Sequence, residues 1–119
     1  MAIKITFKEY PERNEPCVYR IWFGKRFYIG RSINILNRIK QHERELNVAI
    51  LQNNTTSGVY PLIVKHIIDK NITEAVLEII EYSDARNVFF IEKSCLREFI
   101  GSKKCLNVFR ASCRELRLS

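Results

Sequence analysis

Tyr19, Tyr28, Arg31, Arg38 and His42 stand close together in the chain, and their side chains are of the types that handle phosphate. A guanidinium pairs with phosphate oxygens through charged, bidentate hydrogen bonds. A phenol or an imidazole can donate, accept or relay a proton. Much later in the sequence come Glu92, a carboxylate set in apolar surroundings, and Asn107. The chemistry this set suggests is phosphoryl-centre chemistry, with cationic and proton-moving groups on one short unit and an acidic group brought in from elsewhere.

These residues need a scaffold that holds them together. Cys17 to Phe23 and Arg26 to Gly30 are rich in β-branched and aromatic residues, and Gly24-Lys25 between them suits a two-residue turn led by glycine. That turn sets Phe23 opposite Arg26, Ile21 opposite Tyr28 and Tyr19 opposite Gly30. Alternation along the strands then puts Tyr19 and Tyr28 on one face as diagonal neighbours, about 7 to 8 Å apart. Gly30 offers no side chain opposite Tyr19, which is expected to leave the phenol room for a ligand.

A helix is predicted to start near Ser32 or Asn34, both good caps, and to run to about Ala49. Ile35, Ile39, Leu46 and Ile50 make its apolar face, His42 falls within that face, and Arg38 sits at its edge. A guanidinium and an imidazole one turn apart, beside an aromatic hairpin, suit a phosphate clamp. Taken singly, Arg38 reads more plainly as a solvated charge and His42 as a satisfied core histidine. A second helical pattern covers residues 84 to 100, where Val88, Cys95, Leu96 and Phe99 form a stripe with Glu92 in its midst. A carboxylate there is costly to desolvate unless it is ion-paired, hydrogen-bonded or bound to a cation such as Mg²⁺. An ion pair with Arg38 or another arginine answers the requirement as well as a metal does.

With these residues in view, the chain resembles the GIY-YIG nuclease superfamily. Cys17-Val18-Tyr19 stands where the family has Gly-Ile-Tyr, and Tyr28-Ile29-Gly30 matches the second signature intact. Arg31, Arg38, His42, Glu92 and Asn107 follow in the family's order, so the resemblance spans residues 17 to 109. Cys17 in place of glycine, and the short distance between the two tyrosines, are departures that bear on the hairpin rather than on a reacting group.

The resemblance implies a divalent-metal-dependent DNA endonuclease that hydrolyses phosphodiester bonds with one Mg²⁺ or Mn²⁺. On that reading Glu92 holds the ion, and Tyr19 positions or deprotonates the attacking water. An ordinary phenol titrates near 10, so Tyr19 would need help to act as a base. Arg38 neutralises charge in the transition state. Tyr28, Arg31 and His42 bond phosphate or water, with Arg31 and Arg38 the phosphate binders, while Gly30 and Asn107 support the site. The expected partner is double-stranded or branched DNA, with a homodimer or a specificity partner where both strands are cut. The alternatives are a catalytically silent nucleic-acid-binding module on the same fold, and an unrelated basic α+β protein, such as an RNA-binding one, with an ion-paired Glu92.

Composition agrees with a polyanionic partner. Twenty Lys plus Arg against thirteen Asp plus Glu give a net charge of +7 over 119 residues. One domain is expected over 1–119, with a core at about 15–109 and a basic tail at 110–119 carrying Arg110, Arg114 and Arg117, read here as a solvated face. No apolar run approaches the roughly 20 residues of a membrane span, and the first residues lack a signal pattern, so a cytoplasmic protein without a membrane partner is expected. Cys17, Cys95, Cys105 and Cys113 lack paired spacing, which argues against zinc and for free thiols. A polar loop at 52–58, a helix from Pro61 to Asp69 and a strand from Glu74 to Tyr82 complete the scaffold, with an extra strand at 2–8 as an option. His66 reads as packing. The fold class is α+β: a small antiparallel sheet of about three strands packed with helices.

Overall fold

The computed structural model describes residues 2–55, 60–99 and 102–107. The tail at 110–119, with its arginines and Cys113, lies outside the described residues, as does part of the 52–58 loop. The strands are β1 (Lys4–Phe7), β2 (Cys17–Phe23), β3 (Arg26–Ser32) and β4 (Glu74–Tyr82). The helices are α1 (Ile35–Leu51), α2 (Pro61–Lys70) and α3 (Val88–Phe99).

The hairpin forms in the predicted register, with Tyr19 opposite Gly30, Ile21 opposite Tyr28 and Phe23 opposite Arg26. Gly24 turns at φ 68 while Lys25 stays out of the left-handed region, which matches a turn whose leading position needs glycine. The sheet is larger than the sequence reading had it. It has four strands in the order β1-β4-β2-β3, and it is mixed, because β1 pairs with β4 in parallel while the other pairings are antiparallel. The fourth strand is the optional one at the start of the chain. Its edge is protected by α1: Asn47 bonds the Ile3 backbone in both directions, and the Glu43 carboxylate accepts from Ile5 N at 2.8 Å.

The opposite edge, β3, is covered by the segment after α3. Phe27 donates to Lys104 O at 2.8 Å, Leu106 donates to Phe27 O at 2.7 Å, and Asn107 takes both backbone groups of Ile29 at 2.9 Å. The sheet thus separates two apolar layers. One joins Tyr19, Ile21, Phe23, Tyr28, Ala75 and Leu77 to α1 and α2. The other joins Val18, Phe27 and Ile29 to Val88 and Leu96 of α3.

Helix α1 starts where a cap permits: Asn34 Oδ1 accepts from Asn37 N at 3.2 Å. Its buried residues are Ile35, Ile39, His42, Leu46 and Ile50, the face read from periodicity. Helix α2 opens on Pro61 and closes on Asn71 in the left-handed conformation. His66 donates Nε2–H to Phe23 O at 2.8 Å, a packing role. Strand β4 buries Ala75 and Leu77, and a bulge opposite Val18 and Tyr19 breaks its alternation, leaving Ile80 39% exposed. Cys17, Cys95 and Cys105 are free thiols, and burial raises the Cys17 thiol to about 11. No helix among the described residues is long and apolar enough to cross a membrane.

Candidate active site

Alternation along β2 and β3 delivers Tyr19, Tyr28 and Gly30 to the face that α1 covers, and α1 lowers His42 onto them. The His42 ring meets Tyr19 and Tyr28 edge-on, at centroid separations of 5.6 and 5.7 Å. Tyr19 and His42 are both fully buried. The Tyr19 hydroxyl makes a hydrogen bond with His42 Nε2, and the Arg38 guanidinium lies near enough to act on the phenol electrostatically. Four of the sequence-predicted residues, Tyr19, Tyr28, Arg38 and His42, therefore form one cluster.

The role of Gly30 differs from the expectation. A Cβ at position 30 would stand 2.5 Å from the Tyr19 hydroxyl and 2.6 Å from its Cζ. The space opposite Tyr19 is filled by the Tyr19 ring itself, which lies across the glycine, and no room is left there for a ligand.

Two further residues belong to the cluster that the sequence reading did not name. Tyr60, immediately before α2, donates its hydroxyl proton to Glu45 Oε2 at 2.8 Å, and its oxygen lies 2.8 Å from His42 Nδ1. Gln41 donates to the other Glu45 oxygen at 3.0 Å. Glu45 was legible, since it lies one turn beyond His42 on the same helix. Tyr60 was not, because a loop rather than a periodic element brings it in.

The electrostatics follow from burial. Removing Tyr19 from water raises its pKa well above the usual phenol value, with the neighbouring Tyr28 adding to the rise and Arg38 opposing it. Burial likewise lowers His42 to about 4, helped by the Arg38 charge and opposed by Glu45, so the imidazole is neutral at pH 7. For Glu45, burial pushes upward, but the bonds from Tyr60 and Gln41 and the Arg38 charge outweigh it and keep the carboxylate ionised.

Arg31 and Glu92 lie on the other face, where α3 packs. Arg31 follows Gly30 by one residue and so points oppositely, and its guanidinium forms an ion pair with Glu92 Oε1. The same guanidinium lies 4.6 Å from the Phe89 ring centroid, and Lys93 Nζ lies 3.8 Å from that centroid. Glu92 is thus buried and ion-paired, the answer to its desolvation that needs no metal. Among the described residues no three or more His, Cys, Asp or Glu side chains gather as a metal-binding group. The Asn107 side-chain amide holds the β3 edge, accepting from Ile29 N and donating to Ile29 O.

The two groups approach each other around the end of β3. Arg31, Ser32, Asn34, Asn37, Arg38 and Gln41 line one cleft of about 320 Å³, so the arginine paired with Glu92 and the arginine beside Tyr19 face the same surface hollow. Larger hollows of about 450, 510 and 580 Å³ lie elsewhere and contain none of the sequence-predicted residues. Chemistry rather than size selects the smaller one. No protein family, curated protein or solved structure gives a significant match to this chain.

Proposed function

We propose that this chain is a divalent-metal-dependent DNA endonuclease of the GIY-YIG type that hydrolyses phosphodiester bonds at the cleft between β3 and α1. The observation that carries the reading is the convergence of Arg38 and His42 on the buried Tyr19 hydroxyl, beside a cleft that presents two arginines. A fixed guanidinium gains most where negative charge develops, as it does on a phosphorane-like transition state. Arg31 and Arg38 bind the phosphate, and Tyr28 flanks the imidazole. Tyr19 is fully covered, so on this reading the residues around its hydroxyl must move before the phenol meets a water or a phosphate.

A single carboxylate suits Mg²⁺ or Mn²⁺, which keep several waters and take further ligands from substrate phosphate. Glu92 is the residue that would hold the ion, with Arg31 released towards the phosphate. The ion would supply Lewis-acid polarisation of a phosphate oxygen and stabilisation of the leaving oxygen. The net charge of +7 supports DNA as the polyanion. A cytoplasmic setting, and a homodimer or a specificity partner for cutting both strands, belong to the same proposal.

The Arg31–Glu92 pair favours a second reading, a catalytically silent nucleic-acid-binding module, because an ion pair already satisfies the carboxylate. Cleavage of supercoiled plasmid and of a branched oligonucleotide with Mg²⁺ or Mn²⁺ separates the two. An endonuclease nicks or cuts, and Tyr19→Phe and Glu92→Ala lose that activity by about 10²-fold or more while still binding DNA. Strong, metal-independent binding with no cleavage of any substrate selects the binding module instead.

A further inference from the structure

The bonds around His42 have a direction. Tyr60 has one hydroxyl proton, and it goes to the ionised Glu45. The contact between Tyr60 and His42 Nδ1 must then be donated by His42, so Nδ1 carries the imidazole proton. A neutral imidazole with its proton on Nδ1 has a lone pair on Nε2, and Nε2 accepts the Tyr19 proton. The positive charge of Arg38 favours electron density on the Tyr19 oxygen and so works in the same direction. Every bond from Tyr19 to Glu45 therefore points the same way: Tyr19 to His42, His42 to Tyr60, Tyr60 to Glu45.

We propose that Tyr60 and Glu45 are positioning residues that complete a one-way proton chain, with Glu45 as the final acceptor of the proton that leaves Tyr19. The proposal deepens the nuclease reading and rests on it for its reaction. As the water oxygen bonds to phosphorus and the bond to the leaving oxygen breaks, a water proton passes to the Tyr19 oxygen. The Tyr19 proton moves to His42 Nε2, the His42 Nδ1 proton moves to the Tyr60 oxygen, and the Tyr60 proton moves to Glu45 Oε2. Solvent protonates the leaving oxygen. The chain begins with an ionised Glu45 and ends with a neutral one, and no free phenolate forms at Tyr19. This matters because a fully buried phenol is a poor candidate for ionising alone.

The groups facing His42 are consistent with this order. Arg38 and Glu45 come from its own helix, Tyr19 from β2, Tyr28 from β3 and Tyr60 from the segment before α2. Glu45 is partly exposed, so the chain runs from a covered phenol to a carboxylate that exchanges protons with solvent.

The experiment uses the full chain labelled with ¹⁵N-histidine, with the His42 tautomer read by NMR beside single-turnover cleavage of plasmid DNA. The wild type is expected to show the Nδ1–H tautomer. Glu45→Gln keeps an oxygen that accepts from Tyr60, so it should retain that tautomer yet cleave about 10²-fold more slowly. Tyr60→Phe should lose both the tautomer preference and the rate. An Nε2–H tautomer in the wild type overturns the proposal, as do Glu45→Gln and Tyr60→Phe proteins that cleave at the wild-type rate. If the wild type cleaves nothing, the nuclease reading fails separately, and the tautomer still decides the direction of the chain.

Discussion

The two faces of the sheet solve the same problem in different ways. On the α1 face a buried phenol and a buried imidazole are satisfied by neutral, directional hydrogen bonds that end at a partly exposed carboxylate. On the α3 face a buried carboxylate is satisfied by an opposite charge, with Phe89 stacked against the arginine. The first arrangement fixes proton positions and tolerates little change in geometry. The second is held by charge, and Arg31 can exchange one anion for another. Under the proposed nuclease function, the α1 face would move a proton and the α3 face would contribute Arg31 to the phosphate and Glu92 to the cation.

The largest effect should come from Gly30→Ala, which drives a methyl group into the Tyr19 hydroxyl and Cζ. A loss of about 3 kcal/mol is expected by chemical denaturation, together with an altered near-UV signal from the displaced ring. An unchanged stability would mean that Tyr19 is not pinned as described.

Next is the pH dependence of folding. His42 titrates at 6.5 when unfolded and at about 4 when folded, so the unfolded chain binds more protons between those values. Stability should therefore fall as pH drops from 6.5 to 4, by about 3 kcal/mol from this residue. His42→Asn should remove that part of the slope. A slope identical in the two proteins would break the claim that the imidazole is buried neutral.

The α3 face makes an asymmetric prediction. Arg31→Ala takes the opposite charge away from a carboxylate that is 7% exposed at its side chain and should cost about 2 kcal/mol, whereas Glu92→Gln acts on an arginine that is 35% exposed and should cost less than about 1 kcal/mol. Thermal melts of the two variants test the order. Equal losses would show that the pair is not governed by desolvation of Glu92. A similarly small effect is expected on the α1 chain: Tyr60→Phe removes one hydroxyl, with a loss of about 1 kcal/mol by denaturation.

Much of the scaffold was legible because local rules fix it. Gly24-Lys25 set the hairpin register, and helical periodicity marked Ile35, Ile39, His42, Leu46 and Ile50 as one buried face. The sequence reading offered Arg38 or another arginine as the partner of Glu92; the partner is Arg31, because α3 packs on the sheet face opposite the one that α1 covers, a placement no local rule specifies. The parallel pairing of β1 with β4 was not legible, since nothing local in Lys4–Phe7 specifies a partner at Glu74–Tyr82. Tyr60 escaped for a similar reason: its place depends on the path between α1 and α2. The role of Gly30 was misread because the empty Cβ position was taken as space for a ligand, when the neighbouring ring fills it.

The central claim is that the Tyr19 cluster and Glu92 act on one phosphate. Single-turnover plasmid cleavage by Tyr19→Phe, Glu92→Ala and the double variant tests it, because residues that act as a unit are strongly non-additive. The account predicts that the double variant is no slower than the slower single variant. A loss equal to the product of the two single losses would contradict it.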